Sequence, residues 1–129
     1  MADLLKVAST AMIAANAAAG KTEDSVVIME MGEVSYLADT FIVASARNAR
    51  QVRAVTDEVE RCVKQATGSH PVQVEGLDDC KWVLMDYGDV IVHIFDRETR
   101  AFYDIEDLWG DVPRRVIEED RTKEDRTIV

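Results

Sequence analysis

The sequence predicts an α/β fold, a single-domain sandwich in which helices flank one mixed sheet of about five strands. The chain has 129 residues, of which 47% are hydrophobic, and this is enough to bury one core. Short apolar runs typical of strands alternate with segments of helical periodicity. A tight hairpin requires antiparallel strands, whereas strands joined through a helix favour parallel pairing, so both kinds of pairing are expected in one sheet.

The first segment, residues 2–19, is predicted to be an amphipathic helix. Alanine and larger apolar residues recur there at helical spacing, and Gly20 follows where a helix would stop. A β-branched run over residues 25–31 predicts the first strand. Residues 33–39 are then a connection, and the apolar run over residues 40–45 predicts a buried second strand.

A second helix is predicted between Asn48 and Gly68. Asn48 is a suitable N-cap, a stripe of valines follows at helical spacing, and Gly68 ends the pattern. Cys62 falls within this apolar stripe, which favours a buried structural residue over a reactive thiol. The strands on either side of this helix, over residues 40–45 and 72–75, are predicted to be parallel neighbours.

Residues 81–96, KWVLMDYGDVIVHIFD, are predicted to form a β-hairpin with Tyr87 and Gly88 as its turn residues. That register places Leu84 opposite Ile91 and Trp82 opposite His93. One face of the hairpin is then purely apolar and is expected to be core. The other face is mixed, and either a second packed layer or a contact surface explains it. Its residues are Trp82, Leu84, Asp86, Asp89, Ile91, His93 and Phe95.

A short helix is predicted to return across the sheet after Arg97, because Phe102, Ile105 and Leu108 keep helical spacing. Residues 1–112 are therefore assigned to one domain. Residues 113–129 are rich in charge and lack a periodic apolar face, which predicts a flexible tail.

The charge and cysteine content restrict the partners and the compartment. A formal net charge of −10 disfavours extensive nucleic-acid binding and favours a protein partner with a basic surface. Cys62 and Cys80 form no CxxC pair, and neither a signal peptide nor an apolar run of membrane-spanning length is found. We therefore expect a cytoplasmic protein without a membrane partner.

Candidate catalytic groups are few. Asp86 and Asp89 supply only two metal ligands across a turn, and turn aspartates more often cap backbone N–H groups. His93 lies near them on the mixed face and suggests an acid–base pair, but a nucleophile is missing. Ser45 ends a strand without a Gly-x-Ser-x-Gly turn. A structural role for His93, packed beside Trp82, is favoured.

Arginines cluster at the start of the second helix, at positions 47, 50 and 53. They could meet a phosphate at the helix N-terminus. Acidic residues follow closely at positions 57, 58 and 60, so a solvated, salt-bridged helix face is the favoured interpretation.

Two blocks of the sequence resemble the ribosomal silencing factor family, also called the Iojap or RsfS family. They are ADTFIVASARNARQVRAVTDEVE and VEGLDDCKWVLMDYGDVIVHIFDRETRAFYDIEDLWG. In the second block the VEG, D-x-GD, VxVHxF-like, RxxYxxE and LW motifs occur in the order and spacing of the family. The resemblance extends over about 110 residues and leaves out only the tail. Residues 44–48 depart from the Gly-Thr-containing turn common in the family.

The resemblance implies a nucleotidyltransferase-like fold without catalysis, cofactor or metal. It implies binding to the large ribosomal subunit through large-subunit ribosomal protein fourteen, which obstructs joining of the small subunit. Alternatives are a large-subunit assembly factor, or an enzyme that uses Asp86, Asp89 and His93; a homodimer is left open. The positions that match the family's partner contact and the adjoining block are Trp82, Tyr87, Tyr103, Ile105, Leu108 and Trp109. The positions that match its structural motifs are Glu75, Gly76, Asp86, Gly88, Asp89, His93, Arg100 and Glu106.

Overall fold

One six-stranded sheet organises the computed structural model, which describes residues 2–32 and 38–117. The strand order across the sheet is β3-β4-β5-β2-β1-β6. The elements are α1 (Ala2–Ala19), β1 (Val26–Glu30), β2 (Thr40–Ala46), α2 (Ala49–Thr67), β3 (Gln73–Glu75), β4 (Trp82–Asp86), β5 (Val90–Asp96), α3 (Arg97–Tyr103), α4 (Ile105–Leu108) and β6 (Arg114–Ile117).

The predicted mixed sheet is confirmed, with one strand more than expected among the described residues. β2 and β5 pair in parallel, and the other neighbouring pairs are antiparallel. The prediction that α2 joins parallel neighbours is wrong, because β4 and β5 lie between β3 and β2. β5 takes the central position since its apolar residues are buried on both faces, as a strand with a parallel neighbour requires.

The two long helices follow their sequence signals. α1 has the predicted bounds. Asn48 caps α2, because its Oδ1 accepts a hydrogen bond from the Gln51 N–H at 2.8 Å. Gly68 ends α2 in the left-handed region, with φ of 77°, and its N–H donates to the Lys64 carbonyl. Within the described part of the chain, no helix has the length and apolar character needed to cross a membrane.

The single helix predicted after Arg97 is two short helices. Asp96 caps α3 by accepting a hydrogen bond from the Thr99 N–H at 2.7 Å. Asp104 then adopts φ of 46°, a left-handed conformation that aspartate tolerates better than most residues. The chain therefore bends between Tyr103 and Ile105, and α4 continues in a new direction.

The start of the predicted tail belongs to the sheet. Residues Arg114–Ile117 form β6, which pairs antiparallel with β1 and places Val116 opposite Val27. Four residues with two arginines give no apolar pattern, because an edge strand of this kind is held mainly by backbone hydrogen bonds. The rest of the predicted tail, residues 118–129, and most of the predicted 33–39 connection lie outside the described residues.

The sheet has two different faces. On one face, α1 and α2 pack over alternate strand residues such as Ile42, Val83 and Ile94, which are fully buried. The opposite face carries a smaller cluster that includes Phe41 and Phe95, and the described residues that cover it come mainly from the segment after β5. This second face positions the candidate site.

Candidate partner-binding surface

The hairpin presents the predicted mixed face, but in a different register. Trp82 pairs with Phe95 and Leu84 with His93, so the turn residues are Gly88 and Asp89. The Asp86 Oδ1 accepts a hydrogen bond from the Gly88 N–H at 2.8 Å, and this contact fixes the turn one residue later than predicted. Each residue's partner consequently moves by two positions, so the predicted division into two faces is retained for the strand residues.

Tyr87 lies on the opposite face from Trp82. It packs against the core under α1 and α2, and its hydroxyl is buried without a hydrogen-bond partner among the described residues. Burial, with a smaller contribution from Glu60, raises the pKa of Tyr87 to about 12. The structure therefore does not bring Tyr87 together with the other predicted contact residues.

Trp82 and Tyr103 do come together. Their ring centroids are 4.8 Å apart, and Trp82 also stacks on the buried ring of Phe95 at 5.0 Å. Phe102 contacts Tyr103 edge to face at 5.0 Å. We call the apolar side chains that this region exposes, wholly or in part, the α3–α4 surface. It consists of Trp82, Phe102, Tyr103, Leu108 and Trp109.

Exposure distinguishes the members of this surface from their support. Phe102 is 78% exposed, Leu108 72% and Tyr103 51%. Ile105, predicted as a contact residue, is 8% exposed and packs within the core beneath α4. Phe102 was not among the predicted contact residues and was expected in the same helix as Ile105; the bend at Asp104 separates the two residues.

His93 is buried and holds Trp82 in place. It is 5% exposed, and its Nδ1 accepts a hydrogen bond from the Trp82 Nε1–H at 3.1 Å. Burial lowers the pKa of His93 to about 4, so the ring is neutral near pH 7. Asp86 is occupied with the turn and Asp89 is exposed within it. In residues 2–32 and 38–117, no three potential ligand side chains are grouped so as to hold a metal ion.

Gly76 explains the glycine of the VEG motif. Its φ is +93°, and a Cβ at this position would lie 2.0 Å from the Trp82 carbonyl oxygen. Only glycine allows this approach of the loop to the start of β4. The preceding Glu75 lies exposed on the edge strand, opposite Leu84.

Arg100 ties the two short helices to the sheet. Its guanidinium donates to both Glu106 carboxylate oxygens, at 2.7 and 3.2 Å, and the two side chains are only 15% and 22% exposed. The same guanidinium donates to the Ser25 carbonyl and the Ser45 Oγ, each at 2.9 Å. The bend between α3 and α4 is thereby fixed relative to β1 and β2.

Ser45 belongs to this network. Its hydroxyl donates to the Asp24 Oδ2 at 2.7 Å, and Asp24 also accepts hydrogen bonds from Arg97. Partial burial favours a higher pKa for Asp24, but the hydrogen bonds from Arg97 and Ser45 outweigh it and hold the pKa below its usual value. The segment that departs from the family's turn thus supplies a hydroxyl to the Arg100 cluster.

The salt-bridged interpretation of the arginines near the start of α2 agrees with the structure at Arg53, which pairs with Asp57 at 3.3 Å. Arg47 precedes the helix and pairs with Glu23 at 2.9 Å. The two cysteines are free; Cys80 is buried and Cys62 partly so, and burial raises the pKa of both thiols. Neither has the depressed pKa of a reactive thiol.

These features define a small α/β domain that carries an exposed aromatic surface on the less covered face of its sheet, an arrangement typical of a binding protein. The profile of the family described as "Ribosomal silencing factor during starvation" matches residues 5–128. The chain therefore belongs to the ribosomal silencing factor family. The predicted resemblance is confirmed, and the match also includes most of the predicted tail.

Individual relatives agree with this assignment. The chain is 39% identical over 101 residues to "Ribosomal silencing factor RsfS" of Halalkalibacterium halodurans, covering 78% of this chain and 86% of that protein. A crystal structure of a protein from Chromobacterium violaceum superposes with a TM-score of 0.76 at 33% identity, covering 81% of this chain and 86% of the other. The mouse "Mitochondrial assembly of ribosomal large subunit protein 1" is 32% identical over 88 residues, covering 67% of this chain and 38% of that protein.

Proposed function

We propose that this protein is a cytoplasmic, non-enzymatic silencing factor. In this proposal it binds the large ribosomal subunit through large-subunit ribosomal protein fourteen and blocks joining of the small subunit by occupying the space where the two subunits meet. Family membership supports the silencing role. The observation that carries the proposed contact is the α3–α4 surface, where large apolar side chains remain exposed beside a buried core.

The composition of the α3–α4 surface suits a protein partner. Tryptophan and tyrosine are enriched among interface anchors because they bury much apolar area with few rotatable bonds. Trp82 and Tyr103 contact each other, and Trp82 is held by His93, so part of this surface is ordered before binding. Little conformational entropy is then lost when a partner docks.

Charge supports a basic partner. The chain has a formal net charge of −10, and several carboxylates flank the aromatic side chains. A ribosomal protein that also contacts RNA presents basic residues, and opposite charge speeds association and selects the partner. Extensive direct contact with ribosomal RNA is disfavoured by the same charge.

Co-sedimentation with isolated large subunits tests the proposal. Tyr103→Ala and Leu108→Ala should each weaken binding, by about 2 kcal/mol for a central anchor, because each truncation removes an exposed side chain of the proposed interface. Val72→Ala is the matched control, because Val72 is 79% exposed beside the edge strand β3, outside this surface. Trp82→Ala is less informative, since the loss of packing on Phe95 also affects folding.

Two outcomes would reject the proposed surface. One is undiminished sedimentation of a folded Tyr103→Ala/Leu108→Ala double variant. The other is an equal loss of binding to large subunits in the control variant Val72→Ala. Subunit joining is measured separately, by adding small subunits to large subunits preincubated with the protein. Joining at the normal rate, with the large subunit saturated, would reject the blocking step while leaving the contact intact.

A second candidate function is large-subunit assembly, which is favoured by the similarity to the mouse protein named for mitochondrial assembly of the large ribosomal subunit. The same α3–α4 surface would then act on an immature subunit. Sucrose-gradient profiles of cells that lack the protein separate the two functions. Accumulated precursor particles favour assembly, whereas normal subunit profiles combined with excess joined ribosomes during starvation favour silencing.

A further inference from the structure

An open groove of about 500 Å³ lies at one end of the α3–α4 surface, between the start of β4 and the helix α3. Aromatic walls and acidic side chains occur together in this groove. The lining residues are Asp79, Lys81, Trp82, Asp96, Glu98, Thr99, Phe102 and Tyr103.

The aromatic walls are ordered on one side and exposed on the other. Trp82 is fixed from below by the ring of Phe95 and by the hydrogen bond to His93. Tyr103 meets Trp82 at an interplanar angle of 47°, and Phe102 stands at 90° to Tyr103. The planes of the three rings therefore differ in direction where they line the groove.

The carboxylates at the rim are incompletely used. The Asp79 Oδ1 accepts a hydrogen bond from the Lys81 N–H, and the Asp96 Oδ1 accepts the capping bond from the Thr99 N–H. Glu98 is exposed and makes no hydrogen bond or ion pair with any described residue. Three carboxylates face one ammonium group, that of Lys81, so the groove has an excess of negative charge.

We propose that this groove binds an arginine side chain of the protein partner. A guanidinium stacks on aromatic faces and at the same time donates paired hydrogen bonds to carboxylates, so it matches both features of the groove. A lysine ammonium uses the charge but stacks less well, and a phosphate is repelled. The inference rests on the proposed function, since it names the partner chemistry that one end of the α3–α4 surface recognises.

Titration of the full chain with capped Gly-Arg-Gly peptide, followed by nuclear magnetic resonance of the tryptophan indole N–H groups, measures this directly. Trp82 lines the groove and Trp109 does not, so the second indole is an internal control. The expected result is a saturable shift of the Trp82 signal alone. The peptide in which neutral citrulline replaces arginine should bind about fivefold more weakly, the factor that one exposed cation–π contact supplies.

Three surface variants make the test specific. Phe102→Ala and Glu98→Gln should each weaken binding of the arginine peptide by about threefold, because one removes an aromatic wall and the other a rim charge. Lys81→Gln should strengthen this binding by about twofold, since a competing cation is lost. All three side chains are exposed, so folding is expected to be retained. Equal binding of the arginine and citrulline peptides, or equal shifts of both indoles, would overturn the inference.

Sedimentation of Glu98→Lys with large subunits separates this inference from the proposed function. If the wild type sediments with large subunits and Glu98→Lys sediments equally well, the arginine groove is wrong and the proposed function stands. If the peptide titration succeeds but the wild type does not bind large subunits, the proposed function fails and the groove remains. Loss of binding in Glu98→Lys, with wild-type binding intact, supports both.

Discussion

The two faces of the sheet are formed by the same strands but differ in how completely they are covered. The face under α1 and α2 is closed by valine, isoleucine and alanine side chains that are almost fully buried. The opposite face has a smaller core and ends in exposed phenylalanine, tyrosine and leucine side chains of α3 and α4. Consecutive strand residues alternate between these faces, so one strand serves both.

The difference indicates that the closed face stabilises the fold, whereas the open face is the one that we propose for recognition. On the closed face, large apolar side chains are buried and stabilise the fold. On the open face, the buried His93 holds Trp82 and the partly buried Arg100 holds the two short helices in fixed positions. Substitutions on the two faces should consequently have different readouts.

The largest expected effect is the loss of stability on the closed face. Ile94→Ala should lower the free energy of unfolding by about 4 kcal/mol, because a fully buried side chain leaves a cavity. Leu108→Ala, on the open face, should change it by less than about 0.5 kcal/mol. Urea unfolding of both variants checks the contrast. Similar values for the two substitutions would contradict the assignment of the faces.

The next effect is an acid-induced loss of stability from His93. The folded protein holds its pKa at about 4, below the ordinary 6.5, so between these values the unfolded chain binds the extra proton. Stability is therefore complete above pH 6.5 and is lost as the pH falls towards 4, by about 3 kcal/mol in total.

Unfolding measured at pH 7 and at pH 4.5 in wild type and His93→Phe tests this linkage. The variant should lose less stability than the wild type between the two pH values, whatever its stability at pH 7. An equal loss in both proteins would show that other groups cause the acid sensitivity. The folded-state pKa of Asp24 is lowered below its ordinary 3.8. The stability that Asp24 contributes is therefore lost mainly below that pH.

Arg100→Gln should lower the free energy of unfolding by about 2 kcal/mol, because Glu106 and Ser45 lose a charged hydrogen-bond donor in a partly buried site. The change should also alter the fluorescence of Trp82, since α3 no longer holds Tyr103 against it. Arg53→Gln, which breaks only an exposed ion pair, is the matched control. An unchanged emission spectrum in Arg100→Gln would show that Arg100 does not position the open face.

The smallest effect comes from Tyr87. Tyr87→Phe should stabilise the protein by about 1 kcal/mol, because it removes a buried hydroxyl that has no hydrogen-bond partner in residues 2–32 and 38–117. Binding to large subunits should stay unchanged, since Tyr87 lies on the closed face. Weakened binding in this variant would return Tyr87 to the proposed contact surface.

Much of this fold could be predicted because its signals are local. Asn48 and Gly68 bound α2 through capping chemistry, and alternation along residues 82–95 assigned both faces of the hairpin. The turn was predicted one residue too early, because the sequence does not show which backbone N–H will donate a hydrogen bond to the Asp86 carboxylate. The place of β3 at the sheet edge also depends on pairing between distant strands, which no local pattern encodes.

The candidate site was predicted in part, for similar reasons. All of the predicted partner-contact residues came from the family resemblance, and of these the structure brings Trp82 and Tyr103 into contact. Tyr87 and Ile105 were predicted from the same resemblance, but they pack against the core. Phe102 was not predicted as a contact residue; the structure shows it exposed, and the left-handed Asp104 interrupts the single helix that was expected there. The link from Ser45 to Arg100 joins residues 55 positions apart, which spacing in the sequence does not reveal.

The central claim is that the open face binds the large ribosomal subunit while the closed face is scaffold. Hydrogen exchange of the backbone amides, with and without isolated large subunits, tests it most directly. The account predicts protection of residues 97–109 on binding and no change in residues 49–67, which form α2. Protection of α2 with unchanged exchange over residues 97–109 would contradict it.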